Sequence, residues 1–270
     1  MIKKFIRIGV ILFSFSISVI CLSAVSAQDA QWGHLTGQIL LKGDVPAIAA
    51  EDLGTNTDKS HALIDGQAPA DDNLIVSKKN EVKDILVMMY LAPGEEEPVP
   101  HESYEKLKTE PVTLDNKNCR FVPHVLFVRP GQKLVLKNSD PVGHNCHIIA
   151  FNNEHNVNLP AKGSAELVLE KAEKVPGEVK CDIHPWMDSV IMIRDNPYVA
   201  FTDDGGKFII RNIPTGKWKF QFWHKKFGWL SKLEAGSYSV GKRGELDVEI
   251  KADQATDLGV MALPVEAIKK

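Results

Sequence analysis

The stretch KCDIHPWM, Lys180–Met187, sets a thiol at Cys181, an imidazole at His184 and a thioether at Met187 on one short loop. Some forty residues upstream, PVGHNCH at Pro141–His147 offers a second imidazole at His144. Two imidazole nitrogens and a thiolate in a trigonal plane, with a weak axial thioether, suit a copper ion cycling between two oxidation states. Zinc prefers four strong ligands, and a thioether is a poor fourth. Pro185 restricts the loop backbone, which favours a site that changes little between redox states.

The flanking pattern is that of strands. PGQKLVLKNSD alternates through Leu134, Leu136 and Asn138 before a Pro/Gly loop delivers His144. VPGEVKC alternates again, with Val179 and Cys181 on one face and Lys180 on the other.

FVPHVLFVRPGQKLVLKNSD, GHNCH and CDIHPWM together resemble the cupredoxins, the small blue-copper proteins, and within them the short-loop amicyanin and pseudoazurin type. The resemblance covers about ninety residues. It implies one type 1 copper site with His144, Cys181 and His184 as strong ligands and Met187 as the weak axial one. Asn145 matches the Asn whose hydrogen bonds tie the ligand loops together in that family. The exposed edge of His184 is then the expected electron port, with Trp186 either a docking surface beside it or a packing residue. A Cys at position 146 and another at 119 depart from the usual family pattern, which leaves room for a second metal or an altered centre.

At the start of the chain, Lys3, Lys4 and Arg7 precede an apolar run from Ile8 to Leu22 and a small-residue cleavage site, Val25-Ser26-Ala27. Residues 1–27 read as an export signal, with a retained membrane anchor as the alternative. Cleavage would leave 243 of 270 residues and move the formal net charge from -3 to -6. A periplasmic or extracellular location follows, with no membrane insertion once the signal is removed. No basic stripe with interleaved aromatics points to nucleic acid. Three cysteines remain after cleavage. With Cys181 on a metal, Cys119 and Cys146 are free to form a disulfide in an oxidising compartment or to stay as two buried thiols.

The rest reads as short strands joined by turns. HLTGQILLKGDVP ends in a Gly-Asp turn, and Val82–Leu91 is a buried strand; Ala47–Asn73 is a polar loop without periodicity. TDDGGKFIIRNIPTGKWKFQFWHKK, Thr202–Lys226, brackets two alternating strands between Asp-Gly-Gly and Pro-Thr-Gly turns. This segment resembles the carboxypeptidase regulatory-like, transthyretin-like sandwiches, whose first strand matches LTGQILLKG far upstream. The expected fold class is therefore all-β. It comprises a Greek-key cupredoxin sandwich at residues 108–199 and a smaller immunoglobulin- or transthyretin-like sandwich from residues 30–105 and 200–270, either split around the first or arranged as consecutive modules.

Alternation at Trp218, Phe220 and Phe222 favours core packing over a sugar-binding platform. His224 ends that strand and reads as solvated, His147 as a surface or core-satisfied residue, and His124 as a structural histidine or one lining the copper end. No nucleophile elbow, His-Glu-x-x-His or phosphate-cradling glycine loop is present. The expected activity is single-electron transfer between a redox donor and an acceptor, not enzymatic catalysis. The alternatives are a secreted binding or adhesion module and an accessory copper-carrying subunit of an exported oxidoreductase.

Overall fold

The computed structural model describes residues 31–268, so the expected export signal lies outside the described residues. Two strands come first, β1 (Trp32–Lys42) and β2 (Leu86–Tyr90). Nine follow: β3 (Val112–Asn116), β4 (Phe121–Val122), β5 (Val125–Val128), β6 (Lys133–Asn138), β7 (His144–Ile149), β8 (Glu154–Leu159), β9 (Ser164–Val168), β10 (Gly177–Lys180) and β11 (Asp188–Ile193). The chain continues through β12 (Val199–Phe201), β13 (Lys207–Pro214), β14 (Gly216–His224), β15 (Gly228–Trp229), β16 (Glu245–Ile250) and β17 (Ala255–Pro264). The described residues form an all-β fold, and the few helical ones among them are single turns such as Thr57–His61 and Lys106–Thr109.

The strands make four sheets. β4-β3-β6-β9 faces β5-β11-β10-β7-β8 across a core that includes Leu114, Leu134, Leu136, Ile148, Val179 and Ile191. The other two sheets are β13-β1-β17 and β12-β2-β14-β15, with β16 on the free side of β14. Both combine strands from the two ends of the chain: β1 runs antiparallel to β13 and parallel to β17, and β2 lies between β12 and β14.

The alternation of β1 explains its place. Leu35, Ile39 and Leu41 point into a core with Phe208, Phe220, Phe222 and Met261, while the intervening side chains face outward. The turn leading into β13 depends on Gly206, at φ +66°, where a Cβ would lie 2.5 Å from the Ile39 carbonyl oxygen. Asp203 Oδ1 completes that turn by accepting from the amides of Gly205 and Lys207, each at 2.9 Å.

β2 lacks alternation because both of its faces are covered. Val87 and Met89 enter the core with Phe220 and Phe222. Leu86 and Met88 meet Met192 of β11, with Phe127, Trp223 and Trp229 around them. That apolar seam joins the two pairs of sheets.

The segment between β1 and β2 is more than a solvated connection. Leu53 and Ala62 are buried in the core of the β3–β11 block, on either side of the Thr57–His61 turn. Further along, Arg120 forms an ion pair with Asp72 and donates to the Ala70 carbonyl at 2.8 Å. The polar character of this stretch hides two apolar anchors and several charged ones.

Candidate metal centre

Two elements deliver the candidate ligands. His144 begins β7 after a loop that Asn138 organises: its Nδ2 donates to the carbonyls of Val142, Leu159 and Pro160 at 2.8, 3.2 and 3.0 Å. Its Oδ1 accepts from the Asp140 amide at 2.9 Å. Cys181 and His184 lie on the loop from β10 to β11. That loop closes on itself, with the Cys181 amide donating to the Met187 carbonyl at 3.1 Å and the Met187 amide to the His184 carbonyl at 2.9 Å.

Asn145 fastens the two ligand loops together. Its Oδ1 accepts from the Asp182 amide at 2.7 Å, and its Nδ2 donates to Asp182 Oδ2 at 2.7 Å and to Asn156 Oδ1 at 2.8 Å. His147 lies beside this clasp, its Nδ1 3.2 Å from Asp182 Oδ1, and is partly exposed.

The donor atoms converge. His144 Nδ1 is 3.9 Å from Cys181 Sγ, Cys181 Sγ is 3.6 Å from His184 Nδ1, and the two Nδ1 atoms are 2.9 Å apart. In each imidazole the opposite nitrogen already faces a carboxylate, Nε2 of His144 at 2.9 Å from Asp140 and Nε2 of His184 at 3.3 Å from Asp58. With Nε2 protonated to donate to a carboxylate, each ring presents a lone pair at Nδ1. Two nitrogen lone pairs and a sulfur thus face one another in a buried site, where only a positive charge relieves their repulsion.

Without a metal, a proton takes that place. Burial opposes charging of His144, but hydrogen bonds to Asp140, Cys119 and Cys181 prevail and push its pKa up to about 11. His184 is pushed down, by burial and then by the charge on His144. Burial would raise the Cys181 thiol, yet the hydrogen bond from His144 and the amides of Asn145, His184 and Ile183 hold it below the ordinary thiol range. Asp140 is likewise held low: burial would raise it, and hydrogen bonds from His144 and from the Cys119 and Asn118 amides outweigh that.

The spacing fits a small soft cation. A metal about 2.0–2.1 Å from each nitrogen and about 2.3 Å from sulfur requires donors about 3–4 Å apart. Met187 is buried where the loop closes, 1 % exposed. A donor set of this composition suits copper.

The surroundings differ from several sequence expectations. The edge of His184 is not an exposed port: the ring is 0 % exposed, against 1 % for His144 and 2 % for Cys181. The Thr57–His61 turn covers it, because Asn56 Nδ2 donates to the Ile183 carbonyl at 2.9 Å and Asp58 meets His184. Trp186 is a packing residue, buried with its Nε1 donating to the Cys119 carbonyl at 3.2 Å and its ring 5.2 Å from that of His184.

Cys119 and Cys146 are not bridged; both are free, buried thiols, as is Cys181. Cys119 sits in a left-handed turn at φ 49°, with its amide held by Asp140 and its sulfur turned toward the Asp140–His144 pair. Cys146 points into the core, where burial and then the nearby Cys181 push its thiol up to about 12.

His224 is buried, not solvated. It is 2 % exposed, with Nδ1 accepting from the Lys226 amide at 3.2 Å and its ring 5.2 Å from that of Phe227. Its pKa falls to about 3 through burial first and then the charge of His124. His124 lies away from the donor triangle, among carboxylates at the junction of the two sheet pairs: Nδ1 is 3.1 Å from Asp84, and Nε2 is 3.7 Å from both Asp72 and Asp188. Phe220 and Phe222 are fully buried, and Trp218 is half-buried with its Nε1 on the Pro214 carbonyl.

Sequence reasoning missed Asp140 and Asp58. Asp140 had a usable signal, a carboxylate four residues before His144 in a tight Pro/Gly loop. Asp58 had little beyond an Asn-x-Asp turn start.

No family model matches the chain, and no curated protein matches it. Among solved structures, the chain is similar to an amicyanin variant in its reduced Cu(I) form at pH 4. That match has 19% identity and a TM-score of 0.28, covering 30% of this chain and 80% of that one. It is also similar to a purple cupredoxin from Nitrosopumilus maritimus, at 21% identity and a TM-score of 0.26 over 30% of this chain and 97% of that one. A Cu-containing nitrite reductase from Thermus scotoductus matches at 18% identity and a TM-score of 0.28, over 39% of this chain and 25% of that chain. No helix among the described residues is long and apolar enough to cross a membrane.

Proposed function

We propose that the protein binds one copper ion through His144 Nδ1, Cys181 Sγ and His184 Nδ1, with Met187 as a weak axial ligand. In this reading it passes single electrons between redox partners in an exported setting and carries out no substrate chemistry. The observation that carries the proposal is the triangle of donor atoms, 2.9–3.9 Å on a side and buried, with both remote imidazole nitrogens already engaged by carboxylates.

Copper supplies the one-electron couple when bound. The chain's own residues keep the geometry fixed in both oxidation states. Asn145 and Asp182 lock the two ligand loops together, and the Cys181–Met187 bonds close the second loop. Asp140 holds the His144 ring in one orientation. Ligands that cannot move contribute little reorganisation, which favours electron exchange. Burial of every strong ligand also favours retention of the metal over delivery to an acceptor. Phe220 and Phe222 are buried and offer no face to a sugar ring.

The test is the visible spectrum of the protein loaded with copper(II), compared with Cys181→Ser. An intense thiolate-to-copper band that disappears in the variant is expected. Failure to take up copper, or a spectrum indifferent to Cys181, would overturn the proposal.

A further inference from the structure

The Thr57–His61 turn reaches the candidate centre from the connection between β1 and β2, more than a hundred residues upstream of the ligand loop. Its placement is built at several points. Leu53 before it and Ala62 after it are buried in the same core as Cys181 and Met187. Asn56 uses both ends of its amide, Oδ1 accepting from the Asp58 amide and Nδ2 donating to the Ile183 carbonyl, each at 2.9 Å. The result sets the Asp58 carboxylate against the remote nitrogen of His184. Its side chain is 34 % exposed and makes no other side-chain hydrogen bond among the described residues.

Resting on the copper-binding reading, we propose that Asp58 is a positioning residue for the ligand His184. It fixes the imidazole as the Nε2–H tautomer, so that Nδ1 faces the metal, and it adds a negative charge behind the ring that favours the oxidised ion. The physical basis is general: a carboxylate accepting from the far nitrogen orients a ligating imidazole and raises its basicity. Asp140 makes the same contact to His144 from inside the core. The two imidazoles therefore both carry a carboxylate, one buried within the block and one brought in by the connecting segment. Because Cu(II) carries one more positive charge than Cu(I), a carboxylate behind a ligand stabilises it more and holds the reduction potential down. Asp58 thus couples the covering of the site to its redox poise.

The experiment compares the full chain with Asp58→Asn, Asp58→Ala and Asn56→Ala. Two readouts are made: redox titration of the copper-loaded proteins, and nitrogen NMR of the His184 tautomer in metal-free proteins that also carry His144→Phe, so that no proton on His144 Nδ1 fixes the facing Nδ1 of His184 as an acceptor. Asp58→Asn removes the charge and keeps an acceptor oxygen; its Cu(I)-over-Cu(II) preference should rise about tenfold, equivalent to about +59 mV for a one-electron couple. Asp58→Ala should shift the potential in the same direction and leave the metal-free His184 a mixture of tautomers. Asn56→Ala, which keeps the carboxylate, should move the potential less than Asp58→Asn.

Unmoved potentials with the visible band intact would overturn the proposal. So would an Asn56→Ala shift as large as that of Asp58→Asn, since covering alone would then set the potential. If the wild-type protein takes up no copper, the copper reading fails by itself. The tautomer measurement then decides the positioning role, and a single Nε2–H tautomer surviving in Asp58→Ala would overturn it.

Discussion

Replacing His124 by Gln should remove its share of the fall in stability between about pH 6.5 and 9, the remainder belonging to His144, whose pKa is also raised in the metal-free protein. Asp84 and Asp72 come from the segment linking β1 to β2, Asp188 from the start of β11, and His224 and Lys225 from the end of β14; all lie close to this ring. Burial works against its charge, but Asp188, Asp84 and Asp72 outweigh it and push its pKa from 6.5 up to about 9. A raised histidine contributes stability that is complete below its unfolded value and is lost as pH rises through its folded one. At about 1.4 kcal/mol for each pH unit, the contribution is on the order of 3 kcal/mol. The fall of Asp188 to about 2 is the same ion pair seen from the other partner and is not added.

The assay is urea unfolding of the metal-free protein at half-unit steps from pH 6 to 9.5. His124 should contribute about 1 M urea to the fall of the wild-type midpoint across the window, for a slope of about 3 kcal/mol/M. His124→Gln should start lower at pH 6.5 and fall by about 1 M urea less than the wild type, keeping only the slope that His144 contributes. Parallel curves for the two proteins would refute the reasoning, because the pH response would then belong to other groups. His224 acts with the opposite sign: its depressed pKa means stability declines as pH drops below 6.5 toward 3, where the unfolded chain takes up the proton.

Asp140→Asn should lower copper affinity about 10- to 100-fold in a competition titration, since the His144 ring loses its charged acceptor. Phe222→Ala should cost about 3–5 kcal/mol in chemical denaturation, because the ring is fully buried in the core with Leu35 and Ile39 of β1 and lies 5.9 Å from the ring of Phe208 in β13. Alkylation of the denatured protein should label Cys119, Cys146 and Cys181 equally with and without prior reductant, as read by intact mass.

Much of the all-β character is legible from alternation, as in the LTGQILLKG segment of β1 and in Leu134 and Leu136 of β6. The same rule extends further than it was applied. Trp218, Phe220, Phe222 and His224 share one parity, so the inward face of β14 runs on to the histidine despite the two lysines that follow. The Cys-x2-His-x2-Met spacing marks a compact donor loop in the sequence. What spacing does not carry is the carboxylate behind each imidazole. Asp58 and His184 are 126 positions apart and meet only because Leu53 and Ala62 anchor an otherwise polar segment. The cysteines show the same limit: Cys119 and Cys146 share a core, but the left-handed turn at Cys119 directs its sulfur to His144.

The strand order carries a consequence for how the chain is made. Gln38 of β1 pairs with Lys207 of β13, and β2 finds both of its neighbours beyond Pro197. At about 5–20 residues per second, β1 emerges roughly ten to thirty seconds before its partners. During that interval its apolar face and both edges stand open to mispairing. Folding of the intervening β3–β11 block first would bring Met88 and Val199 side by side and shorten the loop that β1 must close. The block would thus serve as a nucleus for the outer sheets, and damage to its core would be felt first as aggregation of the nascent chain.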